Sequence, residues 1–320
     1  MRKKFIALLV IVLLLPYLAL LICGKMGLFL QTPAPGAEPE NIGMTVEVWR
    51  SKSGTLETVP LREYLWGVLA GEMPATYPEE ALKAQAVASY SYLLHRKRVI
   101  ASHPATDFGH DGEICDDPAH CKSYCPPEEC CARWGVDWYE ASAERIRTAV
   151  ESVLGVAVLY EDAPANTVFF AFSGGQTEDA ADVWGADVPY LRSVDSHWDA
   201  DAPGFETITK IPLEEFCETI GCTAPEIGAV TLTSGGSVST MILNGKTYTG
   251  RELRALFDLR STRFSLRVEE NQAVFTVRGY GHQVGMSQFG ASVLARSGYS
   301  FREILSYYYT GVSFAEDFYE

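Results

Sequence analysis

Apolar residues recur at Leu61, Tyr64, Leu65 and Val68. That is the i, i+3, i+4, i+7 spacing of one helix face. Pro74 disfavours helix at the residue before it, so the spacing predicts a helix that closes near Glu72. Upstream, Met44 to Trp49 alternates as a strand does, Ser51 to Gly54 reads as a turn, and Leu56 to Val59 as a second strand. Downstream, Thr76-x-x-Glu79 has the form of a capping box with Pro78 in the first turn. It predicts a long helix over 79–99, with Leu82, Ala86, Tyr90 and Leu93 on the buried face and a cationic end at His95–Arg98. Residues 101–138 lack periodicity and read as loop. Helices are predicted over 141–153, 213–220, 251–257, 287–297 and 301–309. Strands are predicted over 156–160, 167–172, 230–233, 238–243, 264–268 and 274–277. A polar, glycine-bearing loop fills 174–198. This mixing without regular alternation predicts an α+β fold, a mixed sheet with packed helices.

The N-terminus changes the picture. Arg2, Lys3 and Lys4 precede an uncharged apolar run from Phe5 to Cys23. A membrane-spanning helix needs roughly 20 such residues, so the run predicts an N-terminal transmembrane helix. The basic residues before it orient the N-terminus to the cytoplasm. The expected organisation is a basic tip and anchor over 1–25, a linker over 26–43 that includes the proline-rich 31–41, and an external domain over 44–320.

Charge and cysteine use narrow the chemistry. The net charge is −15, and the first 25 residues hold four cations and no acid, so the remainder carries −19. That balance excludes nucleic acid as a ligand. Of eight cysteines, Cys115, Cys121, Cys125, Cys130 and Cys131 crowd together in the loop, and Cys217 and Cys222 form a pair close enough to bridge. His110, Cys115, His120 and Cys121 form a donor set that suits a closed, structural tetrahedral zinc site. A disulfide knot competes with that reading, since an external location permits disulfides.

Glu72 is the leading chemical candidate. The C-terminal end of a helix and the apolar neighbours Leu69 and Met73 both favour a protonated carboxyl, which is what a general acid needs. In the loop Ser173-Gly-Gly-Gln-Thr-Glu, the side chains of Ser173, Gln176 and Thr177 offer neutral groups suited to sugar hydroxyls and acetamides, and Trp184 a face for a pyranose. Glu178, Asp179 and Asp182 are the acids of that loop. His282 and Gln288 lie in a second cluster, Gly281-His-Gln-Val-Gly-Met-Ser-Gln, where they read as substrate-positioning groups.

Three motifs carry a resemblance. Leu61-Arg-Glu-Tyr-Leu-Trp-Gly-Val-Leu-Ala-Gly-Glu-Met-Pro, Phe172-Ser-Gly-Gly-Gln-Thr-Glu and Gly279-Tyr-Gly-His-Gln-Val-Gly-Met-Ser-Gln-Phe-Gly-Ala occur in the order seen in the stage II sporulation protein D family. The chain resembles that family over about residues 44–312. The resemblance implies a lytic transglycosylase with Glu72 as its acid. It would cleave peptide-free peptidoglycan glycan strands to 1,6-anhydro ends during engulfment. It also implies a single-pass tether to the mother-cell engulfing membrane. The implied partners are the stage II sporulation proteins P and M. Some family members bind zinc through two His and two Cys, an arrangement that these four positions resemble. Related proteins described as amidase enhancers supply the competing reading, a non-catalytic wall-binding module. Two positions depart from the family pattern: Tyr90 stands where arginine is common, and Gln283 where glycine is common.

Overall fold

The structure, a computed structural model, describes residues 43–103 and 109–319. In chain order the elements are β1 (Thr45–Arg50), β2 (Thr55–Pro60), α1 (Leu61–Glu72), α2 (Glu79–Ser102), β3 (Ile114–Cys115), α3 (Pro127–Trp134) and α4 (Val136–Ser152). Then follow β4 (Ala157–Tyr160), β5 (Ala163–Pro164), β6 (Phe169–Phe170), α5 (Ala180–Trp184), a 3-10 turn (His197–Asp201), β7 (Glu206–Pro212) and α6 (Leu213–Ile220). The chain continues through β8 (Ile227–Leu232), β9 (Val238–Leu243), β10 (Lys246–Thr249), α7 (Gly250–Leu256), β11 (Phe264–Glu269) and β12 (Gln272–Arg278). It closes with β13 (Met286–Ser287), α8 (Gln288–Arg296), α9 (Phe301–Tyr308) and β14 (Ser313–Ala315). Helices and small sheets are intermixed, so the α+β class holds, although the sheet is divided into five small pieces. Among the described residues no helix is long and apolar enough to cross a membrane. The segment 5–23, expected as the anchor, lies outside them.

The chain forms two compact units. The first takes 43–75 and 110–147. Here β1 pairs antiparallel with β2, Thr45 opposite Pro60, and parallel with β3, Val48 opposite Ile114. The alternation of β1 buries Val46 and Val48. Helix α1 follows β2 at once and buries Leu61, Tyr64, Leu65, Val68 and Leu69, the predicted stripe. Trp66 donates its indole N–H to the Ala143 carbonyl at 3.1 Å, tying α1 to α4. The cysteine-rich stretch is not all loop: β3 and α3 lie in it.

The second unit takes 76–109 and 148–319. Its axis is α2, whose small residues Ala81, Ala84, Ala86 and Ala88 are buried and let α8, α9 and β4 pack closely. The Thr76 capping box does not form. Pro78 is the N-cap and its ring supplies no side-chain acceptor, so the helix starts with Glu79 and Glu80 facing its positive end. The cationic run His95–Arg98 sits a turn before the end, since the helix runs on to Ser102. Within the expected strand 167–172 Phe169 and Phe170 form the strand, in parallel with Met286 and Ser287, and Phe172 makes a single bridge to Tyr280. Residues 206–278 build two three-stranded antiparallel sheets, β11-β12-β7 and β10-β9-β8, around a core that includes Phe216, Leu253, Phe257 and Phe275. Cys217 is buried under α6, and it and Cys222 are thiols, not the bridge that their spacing suggested. The Cys222 N–H instead closes the helix end on the Cys217 carbonyl at 2.9 Å, with Gly221 left-handed between them.

Candidate active site

In the first unit, Glu72 is the last residue of α1 and is half-buried. The Met73 N–H caps the helix on the Leu69 carbonyl, and extended backbone at Met73 turns the chain away, as Pro74 requires. The Ser123 N–H donates to Oε1 of Glu72 at 2.7 Å. Beside it Lys122 is buried, only 6% exposed. Burial pushes its ammonium down to about 8, and the charges of Glu72 and Cys121 act against that fall.

The segment that carries these groups begins at the Cys/His cluster. His110, Cys115, His120 and Cys121 each offer one donor atom, and the four atoms lie within 4.8 Å of one another. Cys115 Sγ and Cys121 Sγ are each 3.3 Å from His120 Nδ1, and Cys121 Sγ is 3.4 Å from His110 Nε2. His110 Nδ1 faces the Asp111 carbonyl at 2.8 Å, so it carries the proton and Nε2 presents its lone pair to the cluster. Cys125 and Cys130 form a disulfide. Arg50 of β1 reaches Asp116 at 3.0 Å and lies 5.1 Å from the Tyr124 ring, holding the segment from outside.

In the second unit, the loop after β6 and the His282 turn are brought together. The strand pairing continues past β6 and β13 through isolated bridges between Phe172 and Tyr280 and between Glu178 and Val284. The His282 ring lies tilted against Trp184 at 5.2 Å and edge-on to Phe170 at 5.8 Å between ring centres. Its Nδ1 accepts from the Val284 N–H at 3.1 Å, so in the neutral ring Nε2 carries the proton and acts as a donor. Trp184 is exposed. Gln176 is partly exposed and donates to Ser193 Oγ at 2.9 Å. Ser173 and Thr177 are fully buried. Their hydroxyls accept from the Gly175 and Val194 amides, at 3.1 and 2.8 Å. Gln288, also buried, donates to Gln85 at 3.3 Å. Glu178 is fully buried, with Oε1 accepting from the Ser237 N–H. Asp179 and Asp182 both accept from the Ser234 hydroxyl, at 3.0 and 2.7 Å.

Two groups carry geometry that the sequence did not signal. Asp199 is fully buried and accepts from the Ser173 N–H at 2.7 Å, the Ser196 hydroxyl at 3.0 Å and the Ser287 hydroxyl at 2.8 Å. Burial pushes its carboxyl up, and these bonds pull it back. It ties the Gly-rich loop to the start of α8. In the first unit, Ser123 has no periodicity or motif of its own; the Gly67-x-x-x-Gly71 spacing on α1 was the available trace.

Residues 50–160 match the family model described as SpoIID, Stage II sporulation protein. The Stage II sporulation protein D of Bacillus subtilis (strain 168) is 35% identical over 277 residues, covering 85% of this chain and 79% of that protein. That of Bacillus amyloliquefaciens is 34% identical over 287 residues, covering 88% and 82%. An amidase enhancer of Bacillus subtilis (strain 168) is 24% identical over 309 residues, covering 78% of this chain and 40% of its own length.

Proposed function

The chain belongs to the stage II sporulation protein D family, and from that membership and its role in sporulation we propose a peptidoglycan lytic transglycosylase with Glu72 as the catalytic acid. The observation that carries the reading is one half-buried carboxyl at a helix end, fixed through Oε1 by a backbone amide. Glycosidases that use water or a protein nucleophile need a second carboxylate. A lytic transglycosylase does not. Glu72 gives its proton to the glycosidic oxygen as the C1–O bond breaks. The C6 hydroxyl oxygen of the same muramic acid bonds to C1, and its proton passes to the Glu72 carboxylate. The products are a free 4-hydroxyl and a 1,6-anhydro end, and no water is consumed.

The second unit, taken by itself, carries groups suited to a neutral glycan. Trp184 gives a stacking face, and His282 Nε2–H and the Gln176 amide give donors for hydroxyls and acetamides. Ser173, Thr177 and Gln288 hold the loop and the α8 end in place. The substrate is a glycan strand without stem peptides, which places the chain after a peptide-removing partner, the role of stage II sporulation protein P. Protein M is the second implied partner. On this reading residues 5–23 tether the domain outside the mother-cell membrane.

The Cys/His cluster fits zinc as its resident metal. Two thiol and two imidazole donors within 4.8 Å make a closed tetrahedral set with a hydrogen-bonded outer shell at His110. Zinc there would fix the 110–121 stretch and take no part in the reaction.

The test is cleavage of peptide-free glycan strands by the purified chain and by Glu72→Gln. Loss of cleavage in the variant, with an unchanged thermal melt, supports the assignment; full activity in Glu72→Gln contradicts it. The similarity to an amidase enhancer carries the second reading, a wall-binding module. That reading predicts no cleavage by the chain alone and a faster amidase on mixing.

A further inference from the structure

In the first unit the Ser123 amide touches Glu72, and the reaction steps above assign it no part. Its approach is built into α1. Gly67 and Gly71 lie four residues apart, on one face of the helix. The Cys125 N–H donates to the Gly67 carbonyl at 2.9 Å, so the segment 123–125 is hydrogen-bonded along that face. A Cβ at Gly71 would lie 2.7 Å from Ser123 Oγ and 3.1 Å from the Ser123 carbonyl carbon and oxygen. A Cβ at Gly67 would overlap the Tyr124 ring. Only a helix face without side chains lets the Ser123 amide reach Glu72 Oε1 at 2.7 Å.

We propose that the Ser123 amide is the positioning group of Glu72: it holds Oε1 as a fixed acceptor, so the acidic proton is carried on Oε2, and its N–H stabilises the carboxylate left after proton transfer. The proposal deepens the transglycosylase reading and rests on it for its catalytic meaning. A carboxyl fixed through one oxygen presents the other in a single direction, the preorganisation that a lone acid and base requires. The amide favours the carboxylate, the form that must take the C6 hydroxyl proton in the second half of the reaction.

The experiment follows the Glu72 side-chain carboxyl by carbon-13 NMR in the purified chain, its signal identified by loss in Glu72→Gln. Gly71→Ala drives Ser123 away from the carboxyl without altering a titrating group. It is expected to raise the Glu72 titration midpoint by about one pH unit, since it removes an interaction with the charged form. Ser123→Ala keeps the amide and is expected to leave the midpoint in place. On glycan strands, kcat is expected to fall roughly tenfold or more in Gly71→Ala, with KM little changed. An unmoved midpoint in Gly71→Ala overturns the proposal, as does a loss carried by KM alone. If the unmodified chain cleaves no glycan, the transglycosylase reading fails, and the NMR midpoints still decide whether the Ser123 amide holds Glu72.

Discussion

Gln283 shows what a single position can hide. Its backbone sits at φ +64°, a left-handed conformation that favours glycine and costs an L-residue about 1 kcal/mol or more. The sequence marks it as a departure where the family commonly has glycine. In the folded chain the side chain is fully buried, and its Oε1 accepts from the Gly174 N–H at 2.6 Å. Its carbonyl accepts from the Glu178 N–H at 2.7 Å. The amide thus offsets the strain by tying the His282 turn to the Gly-rich loop. Gln283→Ala keeps the strain and loses the tie, so urea unfolding should show a loss of about 1–3 kcal/mol. Gln283→Gly should lose less, because the strain is relieved with the bond. An Ala variant as stable as the parent would refute this account. Tyr90, the other departure, is buried on α2 and gives its hydroxyl proton to the Phe318 carbonyl at 2.6 Å. Glu72 was legible from its helix end and its motif. Ser123 and Asp199 were not, because each bonds across the chain to a partner far away in sequence.

Among elements, long amphipathic helices were legible and helix starts were not. The predicted box at Thr76 fails because Pro78 supplies the N-cap. Two boxes not foreseen do form, Thr249 with Glu252 and Ser300 with Glu303. The bonds from Ser300 hold the Glu303 carboxyl below the usual carboxylate range. A lowered folded value means that this contribution is present above the unfolded Glu pKa and is lost as pH falls through the folded one. Ser300→Ala should therefore lower the thermal midpoint near neutral pH, and the gap from the parent should narrow in acid, leaving the loss of the cap on the Glu303 N–H. A gap that stays constant with pH would contradict the box. The cysteine-rich stretch is the element whose chemistry spacing left open. Zinc predicts one metal per chain by elemental analysis. A chelator should then lower the melting temperature and speed amide exchange over 110–125. A metal-free chain with Cys115 and Cys121 oxidised would contradict it.

At the scale of the whole molecule, the α+β class followed from the mixture of periods, but the division into units did not. The first unit joins 43–75 to 110–147 through pairing of β1 with β3, and hydrophobic pattern carries no information on which distant strands pair. In the β-rich lobe over 206–278, β8, β9, β11 and β12 were predicted as strands, whereas β7, β10 and the closure around Phe275 were not. Each unit carries candidate groups of its own: Glu72 and the Cys/His cluster in the first, the Gly-rich loop and the His282 turn in the second. The central claim, cleavage with the sugar's own hydroxyl as nucleophile, is tested most directly by digesting peptide-free glycan strands in oxygen-18 water and reading the new ends by mass spectrometry. The account predicts 1,6-anhydro ends, one water lighter than reducing ends and free of label. Reducing ends carrying oxygen-18 would contradict it.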